Sequence, residues 1–516
     1  MRSKWWTLAV VSLGIFMLLL DITVVNVALP SIARELHASF EELQWVVDAY
    51  ALTLAAGLLA AGSFADRHGR RLVFTSGLVL FTTASALCGF AQSPLMLDGS
   101  RAVQGIGGAM MFATALALVG NAFRGKERGI AFGTFGAVTG IAVAVGPLIG
   151  GGVTDGLGWR WVFFLNLPLG VIALVATALR VGESRDRHAG ATDWFGLVTF
   201  SGALFGLVFA LVQGNERGWT SAEILGALGG AAFLLGAFIA RSRRAPHPLL
   251  DLELFRVPTF VGISAVAFAL SAAVFGLMLY LTLYLQTVLG YSPLQAGLRF
   301  LPSTVAMFVI APIAGRLSVH LPVRLLLSGG LLFCAAGVGA LTAVSPSSGW
   351  TVLIPGFVLQ GIGVGMINPP LAASAIGVVE PHKGGMASGI NSTFRQLGIA
   401  TGVAGFGAIF QHQLVATTFA HLRDRHLLAT LQAEFGPRFS HMLITGEAAA
   451  VAGHLPVAQR GALSQAYRYG FTHGLDLIFW IGAAVALLGA LVAMVSVRRQ
   501  DFVASAGHGE PVAALA

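Results

Sequence analysis

GSFADRHGRRLVF, residues 62–74, sets one acid (Asp66), three arginines (Arg67, Arg70 and Arg71) and two glycines (Gly62 and Gly69) between two long apolar runs, 43–64 and 72–92. Each run is about 20 residues, the length that crosses a ~30 Å hydrocarbon core. The stretch therefore predicts a tight charged turn joining two membrane helices. Gly62 and Gly69 suit the turn and a close approach of chains. Asp66 among its arginines is placed to lock one arrangement and release another.

The same pattern repeats outward from this turn. Of the 516 residues, 56% are hydrophobic and 10% charged, against roughly 25% charged in a soluble domain. Apolar runs fall near 7–29, 43–64, 72–92, 95–119, 129–152, 161–181, 194–213, 221–240, 258–288, 294–316, 323–343, 350–376, 385–411 and 472–497. The first run is too long for a signal peptide and no small-residue cleavage site follows it, so it is read as a retained span. Fourteen spans put both termini on one side. With the N-terminus inside, inner loops hold about 20 Lys and Arg and outer segments about 8, five of them in 412–471. Both termini are expected to be cytoplasmic.

Several function classes drop out. The net charge of +8 comes from basic residues that punctuate apolar segments, which argues against nucleic acid. Cys88 and Cys334 lie in apolar runs and offer neither a disulfide framework nor a metal cluster. GNAFRGKE (120–127) has Glu127 where a phosphate-binding loop needs a hydroxyl, and no strand precedes it. No zinc-protease or Gly-x-Ser-x-Gly pattern occurs, so the chain is not expected to be an enzyme. No cofactor is expected either. The segment 412–471 carries leucines at helical spacing and His421, His426, His441 and His454, none at metal-ligand spacing; an external helical loop or hairpin is expected.

Charges inside spans carry the functional signal, because an ionised side chain at the bilayer centre costs roughly 2.5–3.5 kcal/mol on insertion scales. At ~1.5 Å per residue, Asp21 lies ~12 Å and Arg101 ~9 Å below the same end of their spans, so the two are expected to meet. Asp98, three residues before Arg101, is an alternative local counter-ion. Asp48 lies ~8 Å into span 2, and Arg395 ~15 Å from the inner end of span 13.

The turn 62–74 closely resembles the loop signature of the major facilitator superfamily, with Phe64 and Phe74 where leucine is usual. RAVQGIGGA (101–109), with Arg101 and Gln104, resembles that family's span-4 motif. Gly133, Ala142, Gly146, Pro147, Gly150 and Gly151 resemble the antiporter motif of its exporters, Ala142 replacing one glycine. LDITVVNVALP (20–30), WRWVFFLNLPLG (159–170), PLLDLELF (248–255), YLQTVLGYSPLQAGLRFLP (284–302) and GMASGINSTFRQLG (385–398) are similar to the fourteen-span drug:proton antiporters of the EmrB/QacA type. In the second copy of the loop signature, GRLSVHLPVR, Ser318 replaces the acid.

The resemblance implies an all-α integral membrane protein of the major facilitator fold: a six-helix bundle in 1–187, two inserted helices in 188–250, and a second six-helix bundle in 251–516. It implies a proton-coupled multidrug exporter of the bacterial cytoplasmic membrane, with lipophilic substrates, protons and lipid as partners and no required oligomer. Asp21 and Arg101 are then the proton-coupling pair, Asp48, Gln104 and Arg395 line the substrate cavity, and the 62–74 turn gates. Two acids near aromatics favour cationic substrates. A specific antibiotic or metabolite exporter, or an importer on the same fold, is the alternative; a non-transporting scaffold does not explain the intramembrane charges.

Overall fold

The computed structural model describes residues 2–123, 126–185, 193–246, 248–318, 320–379, 384–425, 427–436, 438–444 and 455–502. Within them the chain is helical, with no strand. Thirteen helices are long and apolar enough to cross a membrane, and fourteen if a bent pair, Phe40–Leu58 and Ala60–His68, counts as one span. That matches the fourteen apolar runs.

The first helices are α1 (Arg2–Leu36), α2 (Phe40–His68), α3 (Arg70–Gly89), α4 (Pro94–Ala122) and α5 (Lys126–Leu157), followed by the pair α6 (Arg160–Phe164) and α7 (Asn166–Arg180). Helix α2 starts at a capping box: Glu42 N donates to Ser39 Oγ at 3.1 Å, and Ser39 N to the Glu42 carboxylate at 2.7 Å. This satisfies donors that a helix start leaves orphaned. Next come α8 (Trp194–Arg217) and α9 (Ala222–Ser242), packed on each other, with α8 also lying against α2.

The remainder comprises α10 (Pro258–Leu270), α11 (Gly276–Leu283), α12 (Pro293–Arg299), α13 (Leu301–Leu317), α14 (Val323–Ala340), α15 (Ile354–Gly377), α16 (Gly384–Asp424), α17 (Leu428–Phe435), α18 (Arg438–Ile444) and α19 (Val457–Ser496). One π-helical turn, Ser271–Phe275, joins α10 to α11 and another, Tyr284–Val288, ends α11. Helix α16 runs far past the apolar run 385–411 and α19 starts well before 472, so much of 412–471 extends the flanking helices. The described part between them is the two short helices α17 and α18; His426 and His454 lie outside the described residues. The polarity is arranged as a bilayer demands. Leu179, Phe233, Leu488 and Val495 are exposed, while Asp21, Asp48, Arg101 and Gln104 are buried.

Contacts between α1–α5 and α10–α16 gather towards one end of the bundle, the end where α2 begins at Ser39. Gln44 Nε2 donates to Val403 O at 2.9 Å, Gln411 Nε2 to Glu41 at 2.9 Å, and Gln286 Nε2 to Val27 O at 2.8 Å. Phe40 stacks on Phe410 with ring centres 6.0 Å apart. At the Gly69 end, the loop bonds stay local: Asp66 with Arg70, Glu183 with α3, and Thr259 with Asp501.

Candidate functional site

Asp21 and Arg101 meet, as the depth estimate expects: Arg101 Nη1 donates to Asp21 Oδ2 at 2.5 Å, with both side chains essentially inaccessible. Asp21 Oδ1 accepts from Gln104 Nε2 at 2.9 Å and from Asn166 Nδ2 at 3.0 Å. Arg101 Nε donates to Val46 O at 3.0 Å, Nη1 also to Gln104 Oε1 at 2.7 Å, and the guanidinium lies 4.2 Å from the centre of the Tyr50 ring. Ser85 Oγ accepts from Asn166 at 3.0 Å and from Gln104 at 3.3 Å, and donates to Phe163 O at 2.9 Å. A desolvated ion pair is favourable only when its remaining donors and acceptors are satisfied. Here Asp21 accepts three hydrogen bonds and Arg101 donates three through Nε and Nη1, which ties α1 to α2, α4 and α7. One carboxylate thus ties most of the first half together.

Asn166 and Ser85 escaped the sequence reading. Asn166 had a weak signal, a lone amide in the apolar run FFLNLPLG; Ser85 had none, since single hydroxyls are common in membrane helices. Gln104, expected at the substrate cavity, is instead fully buried in this cluster. It follows Arg101 by three residues, so the two share a helix face. Asp98 does not serve as the partner of Arg101: the guanidinium pairs with Asp21, and Asp98 Oδ1 has no hydrogen-bond partner.

Asp48 stands apart. It is fully buried, and neither carboxyl oxygen has a hydrogen-bond partner. It follows Gln44 by four residues on α2, which puts it one turn in from the contacts that close the Ser39 end. A cavity of about 70 Å³ is lined by Thr23, Val143 and Pro147 of α1 and α5 and by residues further along the chain that include Phe275, Phe300 and Gln360. Arg395, on α16, bonds Asn368 of α15, and its Nε has no partner.

The 62–74 turn is held by a group the sequence did not flag. Arg70 pairs with Asp66 at 2.8 Å, Arg67 is exposed, and Arg71 Nη2 donates to Ala178 O at 3.0 Å. Glu183, just past α7, accepts from Arg71 N at 2.9 Å and Leu72 N at 3.1 Å, so a distant carboxylate caps α3. Gly69 has φ +124°, and a Cβ there would sit 2.7 Å from the Glu183 carboxyl carbon. A Cβ at Gly62 would meet nothing, so that glycine is not explained by close contact. Glu183→Ala is expected to lower stability by about 1 kcal/mol, the usual worth of a cap. A thermal-unfolding shift of the purified variant checks this, and no shift would remove Glu183 from the role.

Of the span-5 glycines, Gly150 and Gly151 face backbone and Gly146 faces the Thr23 side chain. A Cβ at Gly146 would lie 1.8 Å from Thr23 Oγ1, at Gly150 2.8 Å from Val24 O, and at Gly151 2.5 Å from Pro293 O. Gly297 meets Pro147 O in the same way, at 2.2 Å. Ala142 is fully buried; the surroundings of Gly133 lie outside the described residues. Among the described residues, no group of three or more His, Cys, Asp or Glu is placed to hold a metal ion.

Comparison with known proteins bears on the whole chain. Residues 11–403 match the family model described as Major Facilitator Superfamily. The multidrug resistance protein Stp of Mycobacterium tuberculosis is 36% identical over 438 residues, 83% of this chain and 81% of that protein. The tetracenomycin C resistance and export protein of Streptomyces glaucescens is 34% identical over 495 residues, 95% of this chain and 91% of that protein. Among solved structures, an inward-facing, occupied bacterial homologue of the human lysosomal transporter Spinster superposes with a TM-score of 0.64 at 18% identity. The match covers 98% of this chain and 100% of that one, and it bears on the fold alone.

Proposed function

We start from a chain that belongs to the major facilitator superfamily, and we propose that it is a proton-coupled drug exporter, a drug:H+ antiporter for lipophilic compounds. It is a multi-pass bacterial membrane transporter related to drug-resistance proteins, and not an enzyme. The finer reading adds two six-helix bundles, with α8 and α9 inserted between them, both termini in the cytoplasm, and the Ser39 end outside.

The observation that carries coupling is the Asp21 cluster. An ionised Asp21 holds Arg101 and Gln104 of α4 and Asn166 of α7. A proton on Asp21 cancels the charge that organises those bonds and frees the helices to shift. A carboxylate in such a place is neutralised either by a proton or by a cation. Asp48, buried with no partner of its own, supplies a second such acid, at which a cationic substrate competes with a proton. Each pH unit then supplies ~1.4 kcal/mol per proton, and each 100 mV ~2.3 kcal/mol per net charge moved.

The test is a drug-susceptibility panel in an efflux-deficient host, with dye accumulation measured with and without a protonophore. Resistance together with protonophore-sensitive exclusion of dye is expected; accumulation of the solute instead would make the protein an importer. Asp48→Asn is expected to lower ethidium efflux several-fold and to leave a neutral substrate nearly unchanged. The reverse pattern would remove the cation preference. A second reading, export of one particular antibiotic or metabolite, is favoured by the near full-length similarity to the tetracenomycin C exporter. A panel in which a single compound class responds would select it.

A further inference from the structure

We infer that the second half of the central cavity carries a subsite for an acidic or carbonyl oxygen, in which the Arg395 guanidinium, steadied by Asn368, binds lipophilic substrates bearing a carboxylate, phenolate or enolate. The inference rests on the transport reading and names the chemistry of its cavity.

The two mid-span arginines are treated differently. Arg101 is 2% exposed and faces a carboxylate, an amide oxygen, a carbonyl and a ring. Arg395 is only partly buried and has an amide oxygen from Asn368, with its Nε unpartnered. No ion pair among the described residues involves it. From 258 to 423 the chain holds one acid, Glu380, which lies outside the described residues, against Arg299, Arg316, Arg324, Lys383, Arg395 and Arg423. Arg299 is spent on the rings of Tyr291 and Trp350, at 3.3 and 5.2 Å. Arg316 and Arg324 flank the α13–α14 turn. Arg395 is the cation left at mid-depth, eleven residues or ~16 Å along α16 from Gly384, too deep to reach the surface. An arginine at that depth needs an opposite charge or an acceptor. The protein supplies half of one.

Its neighbours aim this deficit at the cavity. Gln360, Val364 and Asn368 recur every four residues on α15 and so form one stripe. Gln360 and Val364 line the cavity, which makes Asn368 the next turn of the same wall, towards the Gly69 end. Gln360 is itself 4% exposed, and its Nε2 has no hydrogen-bond partner. Gln360 therefore presents an unfilled donor on this wall, and Arg395, bonded to Asn368 two turns further along α15, holds another. A planar guanidinium not committed to a carboxylate matches a carboxylate, or a hydroxyl–carbonyl pair, by two parallel bonds. A simple lipophilic cation has nothing to offer it.

Equilibrium binding to the purified full-length protein tests this with two fluorescent probes, 1-hydroxy-2-naphthoate and ethidium. Arg395→Gln is expected to weaken naphthoate binding about tenfold, the worth of one charged hydrogen bond, and to leave ethidium within about twofold. Ethidium binding also reports that the variant is folded. Arg395→Lys, which keeps the charge without the fork, is expected to fall between the two. No naphthoate binding to the wild type, unchanged naphthoate binding to Arg395→Gln, or an equal loss of both probes in that variant would overturn the subsite. The transport reading fails on a different result: proteoliposomes in which neither probe moves under a pH gradient while both still bind.

Discussion

Asp21→Asn is expected to reduce transport driven by a pH gradient to the level of vesicles lacking the protein. Asparagine keeps the shape of the side chain and can still bond Gln104 and Asn166, so the geometry of the cluster alone is not what the variant removes. It removes the site that gains and loses a proton, and it leaves Arg101 buried without a charge to face. Breaking a buried pair from one side costs roughly 3–5 kcal/mol, so part of the loss in the single variant is loss of folded protein. The double variant Asp21→Asn, Arg101→Gln separates the two effects. It is neutral throughout and is expected to recover yield and thermal stability while remaining unable to couple flux to protons. Inverted vesicles give the readout: substrate uptake on acidifying the lumen. Full gradient-driven uptake by either variant would take coupling away from Asp21, whatever its place in the structure.

The pair at the centre of that prediction was legible because a charge within an apolar run is conspicuous and depth along a helix is simple arithmetic. The rest of the cluster was not. Asn166 and Ser85 are neutral and add no insertion cost large enough to stand out, and their role depends on which helices face each other. Glu183 was invisible because it caps α3 from 111 positions further along the chain, a pairing that only the fold brings about. The span count was legible from apolar length, but the true lengths were not. Helices α16 and α19 continue beyond the hydrocarbon-length runs because polar residues carry a helix into water as readily as apolar ones. Arg395 was legible as a mid-span charge expected at the substrate cavity, and the structure adds that its partner is an amide, Asn368, and not a carboxylate.

The antiporter-motif glycines make the last large prediction. Gly151 and Gly297 face backbone carbonyl atoms of each other's helix, and a Cβ at either would lie 2.5 Å and 2.2 Å away from Pro293 O and Pro147 O. Neither obstacle is the tip of a flexible side chain, so relief requires α5 and α12 to separate. In the proposed two-bundle arrangement these helices belong to opposite halves, and they meet towards the Ser39 end, so Gly297→Leu is expected to hold that end open. A transporter that cannot close one side cannot complete its cycle, and flux should vanish although the fold persists. A reporter at Thr304→Cys, on the wall of the cavity, reads the state directly, because Cys88 and Cys334 are both buried and contribute little background. An impermeant maleimide added outside intact cells is expected to label the reporter about tenfold faster in the Gly297→Leu background, as a shift in conformational population requires. Gly156→Ala, at an α5 position where a Cβ would touch nothing, should change neither labelling nor flux. If Gly297→Leu transports at the wild-type rate, the α5–α12 contact is packing alone, and closure of that end must rest on Gln44, Tyr280 and the carbonyl of Val403 that both of them bond.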